Sequence, residues 1–176
     1  MSAVTSLTNP SKHVLVKQFG SSMIEVLVAL FIMAIGLMAV QAMQLSSLRT
    51  NTASALGSDA QMLASNMIDR ILAYDDISDA TDNNAYADID TSNAAADPGC
   101  DAGGCNQAQQ KSRDEHFWKT EVENHLPGGV GMVTSDGGGI YTVTVMWDND
   151  KTGANGTACS GNSDVDLTCY RVQLNM

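Results

Sequence analysis

Gly20-Ser21-Ser22-Met23-Ile24-Glu25-Val26-Leu27-Val28-Ala29-Leu30 is the stretch from which the rest of the 176-residue sequence is best read. Three small residues and then Met23 and Ile24 lead to one carboxylate, and behind it Val26 to Val40 form 15 consecutive residues of which only Gly36 lacks an apolar side chain. Between Glu25 and Arg49 lie 23 residues without formal charge. As a helix such a run spans roughly 35 Å, slightly more than the hydrocarbon core of a bilayer. Upstream, residues 1–20 carry Lys12 and Lys17 and no acid, whereas the remainder holds seven basic residues against all twenty acidic ones. A basic flank stays cytoplasmic, which places everything beyond the apolar run across the membrane. The four cysteines, in two close pairs, suit an oxidising compartment and agree with that orientation. A secretory signal peptide shares the basic start and apolar centre. Against it, Glu25 stands at the front edge of the run, and the nearest small-x-small site, Ala53-Ser54-Ala55, lies far beyond its end.

The net charge of −11, from 9 Lys+Arg against 20 Asp+Glu, argues against a nucleic-acid surface. Aromatic residues make up 5%, so the part outside the membrane has few large side chains and should form a small, loop-rich head.

The stretch from Gly20 to Leu30 resembles the class III signal of type IV prepilins. That resemblance implies cleavage after Gly20 by a prepilin peptidase on the cytoplasmic side, a mature chain beginning at Ser21, and Glu25 as its fifth residue. The family usually begins with phenylalanine rather than serine, and its commonest leaders are shorter. Further on, Trp118, then Leu126-Pro127-Gly128-Gly129, then Tyr141-Thr142-Val143-Thr144-Val145-Met146-Trp147 look like minor pilins of the PilV kind, while Asp75 to Arg113 are unmatched. The resemblance implies that Glu25 attracts the N-terminal amine of a neighbouring subunit and draws the helices into register. Snorkelling to the headgroups is the simpler role for a carboxylate at that edge. The implied partners are the prepilin peptidase, other minor pilins and the major pilin, the inner-membrane pilus assembly machinery and the membrane. The implied location is the inner membrane, N-terminus cytoplasmic and head periplasmic, then the pilus at the cell surface. The resemblance calls for no cofactor and no enzymatic activity, and it brings N-terminal methylation as an expectation.

Beyond the anchor the apolar residues thin to a stripe, Leu45, Leu48, Leu56, Leu63, Met67, Ile71 and Tyr74, on one helical face. No proline interrupts Ser21 to Tyr74, so one helix of about 50 residues, roughly 80 Å long, is expected. Gly36 and Gly57 are its weak points, each costing on the order of 1 kcal/mol relative to alanine. The chain thus divides into a leader over 1–20, the membrane or filament-core half of the helix over 21–48, its amphipathic half over 49–75, and a head over 76–176. Asp75, Asp76, Asp79, Asp82, Asp88 and Asp90, amid Asn, Ala and Ser, predict an acidic connecting loop to about residue 110 that buries little surface. A short helix is expected over 106–124, ended by Leu126-Pro127-Gly128-Gly129. Residues 131–134 and 140–147 read as a hairpin about a glycine-rich turn, with Tyr141, Val143, Val145 and Trp147 on one face. A last strand over 167–174 completes a small antiparallel sheet packed on the helix. The fold class is α+β and pilin-like.

The four cysteines permit three pairings. Cys100 with Cys105 and Cys159 with Cys169 are favoured, because each pair brackets a loop of Gly, Asn or Asp. The second spacing is too wide for the usual zinc ligand pairs, so no metal centre is expected from them. Asp148-Asn149-Asp150-Lys151-Thr152-Gly153 begins like a calcium loop, making Asp148 and Asp150 weak candidates that Asp164 or Asp166 would have to complete. Its twelfth position is Cys159 rather than glutamate. His116 and His125 lie in no metal or nucleophile motif. Two other readings stay open: a minor pseudopilin of type II secretion, whose signal looks the same, and a membrane-anchored module that binds a surface ligand through its acidic head.

Overall fold

In the computed structural model, which describes residues 22–74, 85–94, 96–100, 103–137 and 139–176, one helix, α1, runs without a break from Ser22 to Tyr74. Its 53 residues match the length expected from the absence of proline. The leader, with Gly20 and Ser21, and the Asp75 to Asp82 part of the connecting loop lie outside the described residues. The chain divides into two units, residues 1–47 and Leu48–Met176.

In the first unit every residue from Ser22 to Ser47 is exposed, including Phe31, Leu37 and Met43. A helix that is apolar on all sides has no polar face to turn to water. This one is long and apolar enough to cross a membrane.

In the second unit the rest of α1 buries Ala60, Leu63, Ala64, Met67 and Ile71, the stripe of one helical face. They share a core with Trp118 and Val122 of α2 (Gln107–His125) and with Val133, Tyr141, Val143, Val145 and Trp147 of the sheet. The sheet has four strands, β1 (Ile89–Asp90), β2 (Val130–Ser135), β3 (Ile140–Trp147) and β4 (Thr168–Asn175), each antiparallel to the next in chain order. In register, Val133 faces Val143 and Val143 faces Val172, so the core face is a continuous apolar row across three strands. The architecture is α+β, a long apolar N-terminal helix with a small antiparallel sheet, the pilin-like layout expected.

Several expectations need correction. Asn106 is the N-cap of α2 rather than its first residue: its side chain accepts from the Gln109 N–H, and the Gln109 side chain accepts from the Asn106 N–H, a capping box. The last strand begins one residue later than expected and ends at Asn175. The segment expected to bury little surface holds two of the best-buried residues, Tyr86 and Ile89, each 1% exposed. Ile89 gains its place by pairing as β1 opposite Val133, and Tyr86 by finding a partner for its hydroxyl. Along the stripe, Leu45 and Leu48 are exposed, and Ala60 and Ala64 supply buried positions instead. On the other face of β3, Thr144 and Met146 are buried as well.

Candidate functional site

Glu25 occupies the first turn of α1, where a carboxylate complements the positive end of the helix dipole. It is followed by the exposed apolar residues Val26, Leu27, Val28, Leu30 and Phe31. Gly20 and Ser21, the two residues of the expected cleavage site, lie outside the described residues.

In the head, α1 and α2 are joined by polar side chains as well as by core packing. The Arg70 guanidinium is a fork: Nε donates to Asn66 Oδ1 at 2.7 Å, one terminal nitrogen donates to Asp114 Oδ1 at 3.1 Å, and the other lies 3.4 Å from Glu121. The second oxygen of Asp114 accepts from the Tyr86 hydroxyl at 2.6 Å and from Gln110 at 3.0 Å. Asp114 is a buried carboxylate, and these donors replace the water it has lost. Burial, foremost, and the Asp114 carboxylate push the Tyr86 phenol well above its ordinary range, with Arg70 pulling the other way. A cavity of about 360 Å³ borders this cluster, lined by Arg70, Tyr74, Tyr86, Gln110 and Asp114 among others. Sequence reasoning missed the network, because Asp114 and Tyr86 stand 28 residues apart and neither is part of a motif.

The cysteines pair as neighbours, Cys100 with Cys105 and Cys159 with Cys169, at Cα separations of 5.2 and 5.7 Å, both within the usual disulfide range. The second closes the connection between β3 and β4, which has two further restraints. Asp148 caps its start, its carboxylate accepting from the Gly153 N–H at 2.8 Å and the Thr152 N–H at 3.1 Å. These N–H groups, Gly153 first, hold Asp148 below the ordinary carboxylate value although the residue is buried. Near its end Asp166 accepts from the Ser160 hydroxyl and N–H, which lower its value likewise. Gly156 bridges back, donating its N–H to Val165 O and accepting from the Leu167 N–H. A Cβ at Gly156 would lie against Val165 O and the Asp166 side chain.

Asp148 therefore serves its own loop, and Asp150 accepts from the Asn149 amide at 3.0 Å. Among the described residues no three His, Cys, Asp or Glu side chains gather as a metal site. His116 packs edge-on to Phe117, and His125 closes the last turn of α2, where a basic side chain complements the dipole. No known family model, curated protein or solved structure matches the chain.

Proposed function

We propose that this chain is a structural subunit, a minor pilin that is processed by a prepilin peptidase after Gly20 and enters a type IV pilus or the complex that initiates one. The observation that carries the reading is the order Gly20, Glu25, then an apolar helix exposed on every side from Val26 to Leu48. A glycine, a carboxylate five residues on and an immediately following span are each common alone, and their combination is not. On this reading the helix first anchors the chain in the inner membrane, N-terminus cytoplasmic and head periplasmic, and then packs against the helices of other minor pilins and the major pilin. Glu25 neutralises the amine at the start of a neighbouring chain, a pairing that only cleavage after Gly20 makes available. The Cys100–Cys105 and Cys159–Cys169 pairs suit a head folded in the oxidising periplasm. The role is assembly rather than catalysis, and the head selects the neighbours.

The test is intact-mass and N-terminal analysis of the chain expressed with and without a prepilin peptidase. Ser21 becomes the N-terminus only with the enzyme. Persistence of the leader, or a cut beyond the apolar run, overturns the reading and leaves an anchored or secreted binding module.

A further inference from the structure

Two cations border one cleft in the head unit. Arg49, on α1, and Lys151, in the turn after β3, are both exposed and line a cavity of about 620 Å³ together with Leu48, Asn149 and Asp150 among others. Among the described residues neither side chain forms an ion pair or a hydrogen bond, whereas Arg70 and Lys119 are paired with carboxylates. The one carboxylate in the cleft, Asp150, accepts from the Asn149 amide, whose oxygen in turn accepts from Trp147 Nε1 at 3.4 Å. Lys151 is presented in a conformation that long side chains seldom adopt. Its φ is +54°, and the turn is held by its N–H on Asp148 O and by the Asp148 carboxylate on the next two N–H groups. Like charges lining one cleft repel, and an anion between them turns that repulsion into attraction. The position along α1 says which anion. Leu48 is the last of the 23 uncharged residues and Arg49 follows at once, so with that run in the bilayer Arg49 stands at headgroup depth.

The geometry points to a phospholipid site, in which Arg49 and Lys151 together hold the phosphate of an anionic glycerophospholipid headgroup. The guanidinium offers a planar two-pronged contact and the ammonium a point charge to the same phosphate. This inference rests on the membrane reading of α1.

The test uses the full chain inserted in lipid nanodiscs made either of phosphatidylcholine alone or of equal parts phosphatidylcholine and phosphatidylglycerol. The readout is the acylation rate of the Lys151 amine, mapped by peptide mass against Lys119 as an internal reference. Lys151 is expected to be protected several-fold in the phosphatidylglycerol discs, with protection lost in Arg49→Gln and largely kept in Arg49→Lys. Equal labelling in the two discs overturns the site, and so does protection that survives Arg49→Gln, which would be a general effect of the charged surface. Protection by inorganic phosphate in detergent, without any in the anionic discs, overturns the lipid as the source of the phosphate. A chain that fails to insert into either disc overturns the membrane reading itself, an outcome visible before any labelling.

Discussion

The indole Nε1 of Trp118 donates a 3.0 Å hydrogen bond to the backbone carbonyl of Leu63, so α2 is keyed to a particular turn of α1. The far edge of the same ring lies over Gly131 of β2, where an added Cβ would come within 2.5 Å of two of its carbons. One side chain thus sets the spacing of two helices and a strand. Gly131→Ala is expected to destabilise the head by about 2–3 kcal/mol, since the fully buried ring has nowhere to move. Trp118→Phe keeps most of the apolar area, yet opens space and loses the bond, and should cost about 1–3 kcal/mol. Chemical denaturation of the folded head followed by circular dichroism measures both; a Gly131→Ala head as stable as wild type would refute the keyed packing.

The Arg70–Asp114–Tyr86 cluster makes a second prediction. Asp114→Ala leaves Arg70 with Asn66 and Glu121 but strands the buried Tyr86 hydroxyl, and is expected to cost about 1–3 kcal/mol. Tyr86→Phe removes one bond and no charge, so about 1 kcal/mol is expected. In an ultraviolet titration of the folded protein, one phenol should stay protonated well above the ordinary tyrosine range and vanish from the count in Tyr86→Phe. The sign follows from linkage. The unfolded chain releases the Tyr86 proton first as pH rises, so stability falls on the alkaline side.

Asp148 and Asp166 act at the opposite end of the pH scale. Both sit below the ordinary aspartate value of 3.8 when folded, so as pH falls through and below that value the unfolded chain takes up protons first. Their stabilisation is present in full above that window and is lost within it. Proteolysis of the β3–β4 connection by an acid-active protease should therefore accelerate only once pH falls below that value, and Asp148→Asn should show the fast cleavage already at neutral pH. Cleavage independent of pH in the wild type would count against the carboxylate caps.

Replacing Cys159 and Cys169 with serine should destabilise the head by about 2–3 kcal/mol on a chain-entropy basis for a short closed loop. Reducing the wild type opens Cys100–Cys105 as well, so its loss should be at least as large, and reductant should then shift the denaturation midpoint of the double-serine variant less than that of the wild type.

Glu25→Ala separates insertion from assembly. It removes the one charge at the edge of the apolar run, so membrane insertion should be unchanged or easier. On the proposed pilin reading, incorporation into filaments should fall sharply. Normal incorporation, measured by immunoblot of sheared filaments, would sink the pairing of Glu25 with a neighbouring amine.

What could be read directly from the sequence was whatever rests on neighbours along the chain. The length of α1 follows from missing prolines, the β2–β3 hairpin from alternation on either side of the glycine-rich turn, and the end of α2 from Leu126-Pro127-Gly128-Gly129. Long-range partnership was not legible. Ile89 and Tyr86 lie among aspartates and alanines, and only Val133 and Asp114, distant in sequence, explain their burial. Ala60 and Ala64 were missed because a methyl group carries little apolar signal, although a small side chain is what close helix packing asks for. Arg49 and Lys151 are ordinary surface cations in sequence and become a pair only through the turn after β3.

The order of strands in the sheet is the order of strands in the chain, β1 to β4 without a crossover. Each strand therefore meets its partner without waiting for a later one, and the sheet can grow by zippering from one side as the polypeptide emerges. In such a progression the work of the final step falls to Thr168–Asn175, which cover β3 along its whole length in register from Ile140 to Trp147. Until that segment arrives, β3, the most apolar strand, presents an open edge, and the interval before it closes is when the nascent head is most vulnerable to pairing with the wrong chain.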